Sequence, residues 1–388
     1  MSPSIFRASL AGKGSLPMRN ATLRFAQSRC CVFGEADMEV LAKENYEEYL
    51  YFCREKNAHF MQTPQWAGVK AGWKSDIIVL RQEGKIRAGA LLLLRKIPGT
   101  RHFLLYVPRG PVCQKQDLQQ LMQDIFHYAR SRRAFCIKID PYVPAKDSDY
   151  HALLKQMGFC RLPAGAMGNT QPKFVYQIEI AEKTPAQILQ GFAAKTRYNT
   201  RVAERRGVAI WSGGKERLEE FYRLLVQTGR RDGFAVRRQE YYENLLCQMR
   251  ECAKLFLAEY EGKAVAGAVA IRFGETAWYL YGASSQEAKD AMPNYLLQYR
   301  MMLWAAKHGC KLYDMRGISG NFSPQSPLYG LYRFKKGFGG AVQEYLGEYE
   351  LPVCRWLYGC YKMALSLRKW HKKWLLWKFC KKGNKISG

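Results

Sequence analysis

The chain has 388 residues, with 61 Lys and Arg against 33 Asp and Glu, a formal charge of +28; 48% of its residues are apolar and 13% aromatic. That composition excludes global disorder, and the length allows about two or three domains of roughly 100–200 residues. The longest unbroken apolar stretch, Ala88 to Leu94, falls far short of the ~20 residues that span a bilayer, so no transmembrane helix is expected.

The chain opens on a basic segment, 1–37, whose first 33 residues hold five cations (Arg7, Lys13, Arg19, Arg24, Arg29) and no acid. Gly, Pro and Ser interrupt it, which fits a secretory signal badly. Its composition loosely matches an organellar transit peptide, and the simpler expectation is a disordered extension ahead of a start at Met38. Residues 77–94 then read as a β-hairpin: an apolar run, a turn at Glu83-Gly84-Lys85, and a second apolar run. A helical stretch from Asp117 to Ser131 follows, and after it a strand, Ile137-Lys138-Ile139, that ends in Asp140.

Between 186 and 231 the pattern is basic and helical. Ala186 to Arg206 reads as one amphipathic helix carrying Lys195, Arg197, Arg201 and Arg205, and Arg217 to Arg231 as a second helix after the Gly213-Gly214 break. Residues 255–272 then repeat 77–94 without gaps at an offset of 178, sharing Glu-Gly-Lys and Ala-Gly-Ala. The same order recurs behind this second hairpin: a helix over Tyr295 to Lys307 and a strand, Lys311-Leu312-Tyr313, that ends in Asp314. Antiparallel strands, then a helix, then a strand, used twice, predict two tandem α+β subdomains with mixed sheets, expected at 38–180 and 181–352.

The remaining segment, 353–388, holds ten cations and no acid and reads as a basic aromatic helix. Trp356, Cys360, Met363, Leu367, Trp370, Trp374 and Trp377 fall on one side, with Lys362, Lys369, Lys372 and Lys373 largely outside that stripe. Such a helix suits a membrane interface, a face packed on the protein, or a nucleic-acid backbone. The twelve cysteines include no C-x-x-C, and the six histidines add no ligand spacing, so reduced core thiols in a reducing cytoplasm and no metal are expected.

The stretches Phe60–Trp66, Tyr106–Pro111, Lys195–Asn199, Arg231–Phe234, Trp278–Ser285 and Leu331–Phe338 resemble, in order and spacing, the FemABX family of peptidoglycan bridge-forming aminoacyltransferases. The resemblance runs from about Met38 to Pro352 and implies two acetyltransferase-like (GNAT) subdomains. It implies an aminoacyl-tRNA as donor, a lipid-linked peptidoglycan precursor as acceptor at the inner membrane face, and no bound cofactor. The short 186–231 segment matches the form of the family that lacks a coiled-coil arm. An [RQ]-x-x-G-x-[GA] pyrophosphate turn is not evident, since Phe334 stands three residues before Gly337-Phe338-Gly339; this disfavours acetyl-CoA as donor.

Aminoacyl transfer needs a proton acceptor for the attacking amine and a positive group for the tetrahedral oxyanion. A strand-end acid on a cleft suits the first role, which points to Asp140; by resemblance it matches an aspartate at the precursor site, and Asp314 is its repeat mate. Lys335 and Lys336 look like the family's lysine at the transfer centre, and on a strand only one of them would face inward. Precursor recognition falls on Lys70, four residues beyond Trp66, on Arg237 and Tyr241, whose four-residue spacing fits one helix face, and, by resemblance, on Tyr281. Lys195, Arg197, Arg201 and Arg205 offer a tRNA face through charge alone. The rival readings are a non-catalytic RNA-binding protein and an N-acetyltransferase acting on a small amine.

Overall fold

A computed structural model gives the fold and describes residues 37–165 and 168–368. The first part of the chain forms β1 (Asp37–Val40), α1 (Tyr46–Glu55), α2 (Pro64–Val69), β2 (Lys74–Gln82), β3 (Lys85–Lys96), β4 (Phe103–Val107), α3 (Lys115–Ser131), β5 (Ala134–Ile139), α4 (Ser148–Gln156) and β6 (Cys160–Arg161). The second forms β7 (Phe174–Glu179), α5 (Pro185–Gln190), α6 (Ala194–Arg205), β8 (Ala209–Gly213), α7 (Leu218–Asp232), α8 (Gln239–Gln248), β9 (Ala253–Tyr260), β10 (Lys263–Phe273), β11 (Thr276–Ser284), α9 (Pro293–Lys307), β12 (Leu312–Ile318), α10 (Tyr329–Lys336) and β13 (Ala341–Glu344). Strand β14 (Tyr349–Pro352) and a helix over 355–368, α11, follow. No helix among the described residues is long and apolar enough to cross a membrane.

The strands make two seven-stranded sheets, ordered β1-β2-β3-β4-β5-β14-β6 and β13-β7-β12-β11-β10-β9-β8. Each is mixed, with one parallel pair: β4 on β5 and β11 on β12. The duplicated hairpins agree down to their irregularities. Both turns put Glu and Gly at positive φ, +50° and +74° at Glu83-Gly84, +52° and +73° at Glu261-Gly262, as a two-residue hairpin turn requires. Both also skip one residue, Arg87 in β3 and Val265 in β10, at equivalent places two residues beyond the turn.

Alternation along the strands sorts the core into layers. Ile77 and Val79 of β2 and Leu91 and Leu93 of β3 face a central core that also takes Leu255, Leu257, Val269 and Ile271 of the second sheet, so one apolar layer joins the two units. Ile78, Leu80, Leu92 and Leu94 face the other way, onto Leu118, Leu121, Met122 and Ile125 of α3. In the second sheet Ala268 and Ala270 pack outward with α9 and Phe192.

Three features differ from the sequence reading. The division at 180 and 352 does not follow the sheets: β7, before 180, pairs with β12 and β13, while β14 returns to the first sheet between β5 and β6. Long-range pairing and charge decide this. Glu350 of β14 stands opposite Lys138 of β5, whose ammonium lies 2.9 Å from Glu348 and 3.2 Å from Glu350, both acids almost fully buried. The single helix expected over 186–206 is two, α5 and α6, because Phe192 turns into the core and the Ala193 amide bonds the Gly337 carbonyl at 2.8 Å. Asp314 lies inside β12, at a shift in its pairing with β7, instead of ending the strand. The basic extension up to residue 36 lies outside the described residues, as do Lys369, Trp370, Lys372, Lys373, Trp374 and Trp377.

Candidate functional site

A cleft of about 690 Å³ opens where the two units meet. Its first wall is set by α2. Thr63 caps the helix by accepting from the Trp66 amide, Pro64 fixes its first turn, and Lys70 emerges at its C-terminus. Asn244 of α8 donates to the carbonyls of Gly68 (3.0 Å) and Val69 (3.4 Å), satisfying groups the helix end leaves open and drawing the second unit against the first. The Lys70 ammonium consequently sits over two rings, Trp66 at 4.7 Å and Tyr241 at 5.5 Å. Arg237 stacks on the outer side of Tyr241 at 4.6 Å, and Tyr241 shares a 3.1 Å hydroxyl contact with Tyr281. Arg237 precedes α8, so it reaches Tyr241 by stacking from a loop and not through a common helix face.

Lys70, Arg95 and Arg237 line this cleft with one acid, Glu240, and with Lys138, whose charge Glu348 and Glu350 balance; the remaining surplus of positive charge favours an anionic ligand. Burial, reinforced by Arg237, lowers the Lys70 ammonium to about 8, so its charge depends on pH near neutrality.

Asp140 lies behind the floor. It is 1% exposed and is not among the residues that line the cleft. Tyr106, which does line it, donates to Asp140 Oδ2 at 2.6 Å, and the Arg109 amide donates to Oδ1 at 2.6 Å. Burial pushes this carboxyl up to about 6, opposed by Arg109 and by the Tyr106 hydroxyl. Asp314 repeats the arrangement: the Arg316 amide donates to its Oδ1 at 2.6 Å, Gln177 donates to Oδ2 at 3.1 Å, and burial raises its pKa. Arg109 and Arg316 both hold positive φ, +54° and +63°, so each acid steadies an arginine in the left-handed region. Gln171 joins the two clusters. It accepts from the Arg316 guanidinium at 2.8 Å and lines the cleft together with Tyr106.

The lysine pair corrects the sequence reading. Phe334-Lys335-Lys336 is the last turn of α10, not a strand, because the Gly320–Leu328 loop delivers a helix here whose Phe334 meets Tyr295 and Phe338. Lys335 is buried and its Nζ lies 2.7 Å from the Met315 carbonyl, 2.7 Å from that of Gly317 and 3.3 Å from that of Arg316. An ammonium has three donors, so none is left for an oxyanion; Lys335 instead splints the irregular stretch of β12 that follows Asp314. Burial lowers it to about 7. Lys336 is exposed, 5.9 Å over the Tyr332 ring. Neither lysine lines the cleft.

The α6 residues form a separate shallow depression of about 490 Å³ with Arg197, Tyr198, Arg201 and Arg205 on its walls. Arg197 is engaged with the carbonyls of Gln190 and Phe192, and Arg205 lies 5.9 Å over Tyr198; Lys195 is exposed beside them. Of the expected residues, then, Lys70, Arg237 and Tyr241 share the cleft, Tyr281 touches Tyr241, and Asp140 lies one hydrogen bond behind it. The sequence carries no signal that places Tyr106, Gln171 or Asn244 in this cleft. Tyr106 belongs to the Tyr106–Pro111 stretch, whereas Gln171 and Asn244 come from a loop and a helix with no chemical pattern around them.

A model of the FemAB family matches residues 41–264 and 249–366. Two similar proteins are described as lipid II:glycine glycyltransferases. That of Staphylococcus haemolyticus (strain JCSC1435) is 28% identical over 396 residues, covering 83% of this chain and 94% of its own. That of Staphylococcus aureus (strain MRSA252) is 28% identical over 398 residues, with the same coverage. Among solved structures, a crystal structure of FemX superposes with a TM-score of 0.76 at 26% identity, covering 84% of this chain and 99% of that one. A tandem GNAT protein from the clavulanic acid biosynthesis pathway shares the fold at a TM-score of 0.52 and 13% identity, covering 82% of this chain and 99% of that one. The two sheets are thus tandem GNAT-like subdomains.

Proposed function

We propose, since this chain belongs to the FemAB family, that it is an aminoacyltransferase which moves an amino acid from aminoacyl-tRNA to the stem-peptide amine of a lipid-linked peptidoglycan precursor, forming the interpeptide bridge. The reading puts the enzyme in the cytoplasm, working at the inner membrane face. One observation carries it: the cleft pairs an aromatic-walled set of cations, Lys70 and Arg237 around Tyr241, with a Tyr106 held by a buried carboxylate. The similar Staphylococcus proteins are named for lipid II, whose diphosphate-sugar suits such a set. Arginine offers paired donors to phosphate oxygens, Lys70 a point charge, and Trp66 and Tyr241 apolar faces for a sugar ring.

In the reaction the neutral amine of the stem peptide attacks the ester carbonyl. The C–N bond forms, the C–O bond to the ribose breaks, and the ribose oxygen leaves with a proton while the amine gives one up. Asp140 acts here as a positioning residue, because it reaches the cleft only through Tyr106 and the Arg109 loop. Placing amine and ester together supplies much of the acceleration.

The test is direct. The purified full chain is incubated with lipid II and tRNA charged with glycine, serine or alanine in turn, and the precursor is analysed by mass spectrometry. The proposal expects amide-linked product with at least one donor. RNA binding without product, or acetyl transfer from acetyl-CoA, would replace it with one of the rival readings.

A further inference from the structure

Helix α11 has two unlike sides. Leu357, Tyr358 and Tyr361 pack against Leu104, Phe135 and Cys136 of the first sheet, with Tyr361 5.0 Å from the Phe135 ring. Tyr358 also donates to the buried Glu350 at 2.8 Å, and Lys362 lies 3.3 Å from the same carboxylate, so the helix is held firmly in place. On the opposite side Trp356, Met363 and Leu367 are 74%, 61% and 60% exposed. Their spacings of seven and four residues put them in one line along the helix. Three large apolar side chains in a row, facing away from the protein, need an occupant.

Charge says which. The segment from 353 onward carries ten cations and no acid, and the whole chain carries +28. A second copy of so basic a surface would be repelled, whereas an anionic bilayer is attracted, and an exposed indole on a cation-rich segment is what a headgroup region accommodates. The position agrees, because Tyr361, on the packed side of this helix, is also part of the cleft lining. We infer that α11 is a docking helix that lies in the surface of an anionic membrane through Trp356, Met363 and Leu367, with the mouth of the cleft beside it. This deepens the proposed function, since a lipid-linked acceptor would then enter from the surface on which the helix rests.

The test is flotation of the full chain with vesicles of phosphatidylglycerol and, separately, of phosphatidylcholine, with neither tRNA nor precursor present, so that its failure is distinct from a failure of transfer. Binding to phosphatidylglycerol, weakened by salt and poor on phosphatidylcholine, is expected. The triple variant Trp356→Ser, Met363→Ser, Leu367→Ser alters only exposed side chains and should bind about 10- to 100-fold less tightly. Brominated acyl chains should quench the wild-type tryptophan fluorescence more than that of Trp356→Phe. Undiminished vesicle binding by the triple variant overturns the inference. So does a wild-type dimer that the triple variant abolishes, which would make the stripe an interface between copies, or a loss of RNA binding with vesicle binding intact.

Discussion

The Tyr106 hydroxyl and the Asp140 carboxylate share a 2.6 Å hydrogen bond in which only the tyrosine belongs to the cleft lining. A bond to an ionised carboxylate is worth about 1.5–3 kcal/mol. Tyr106→Phe should therefore keep the fold and lose about tenfold or more in kcat with little change in KM. Steady-state kinetics beside a thermal melt would check both.

Asp140 should give the activity an acidic limb near pH 6. Burial raises it from 3.8 to about 6, so the carboxylate that holds Tyr106 and the Arg109 amide is lost as pH falls through that value. The native state binds this proton more readily than the unfolded chain does, and the group's contribution to stability falls as pH rises from about 4 to 6. Activity and this stability contribution thus move in opposite directions across the window. In Asp140→Asn both dependences should vanish from the pH–rate and pH–melting curves.

Lys70 sets the alkaline side. With its ammonium lowered from 10.5 to about 8, affinity for a diphosphate probe should decline as pH rises through 8, and Lys70→Arg should extend binding to higher pH. Over the same range, from about 8 to 10.5, the unfolded chain holds the proton more tightly, so this group's contribution to stability rises. Calorimetric titration with pyrophosphate at a series of pH values would show the affinity change.

The two neighbouring lysines of α10 should behave very differently. Lys335→Met removes the donor under three carbonyls and should cost about 2–4 kcal/mol in denaturant unfolding, since each buried unpaired carbonyl costs about 1–3 kcal/mol and some recover other partners. Lys336→Ala changes an exposed side chain and should stay within about 0.5 kcal/mol of wild type.

Glu350→Ala should loosen the end of the chain. It removes the acceptor of Tyr358, Lys138 and Lys362 from a buried position, a change that costs about 3–5 kcal/mol when a buried pair is broken. Limited proteolysis should then cut within 349–368 before the rest of the molecule.

The duplicated hairpins were open to reading because Glu83-Gly84 and Glu261-Gly262 demand the same turn and the flanking runs alternate with a period of two. The helices behind them could be read for the same local reason. What escaped depends on distance. The return of β14 rests on Lys138 meeting Glu348 and Glu350, more than two hundred residues apart, and no local pattern announces it. The sequence does not place Lys335, because Phe-Lys-Lys-Gly-Phe suits a strand as well as a helix end, and only the carbonyls of 315–317 decide where its ammonium goes. In the cleft, Lys70 is legible from its place after Trp66, Arg237 and Tyr241 from their four-residue spacing, and beside it Tyr281 from the family resemblance. Gln171 is not, because an uncharged amide in a loop has no signature until Tyr106 and Arg316 are seen on either side of it.

The late arrival of β14 has a consequence for how this protein is made. A ribosome releases β1 to β6 long before Tyr349, and until that residue emerges the first sheet has a gap between β5 and β6. The amino-terminal half must wait, partly assembled, through synthesis of the entire second half, and α11 cannot settle on Leu104 and Phe135 until the gap is filled. A chain terminated before Tyr349 therefore lacks the strand that joins β5 to β6, the helix that covers Leu104 and Phe135, and the Tyr361 side of the cleft.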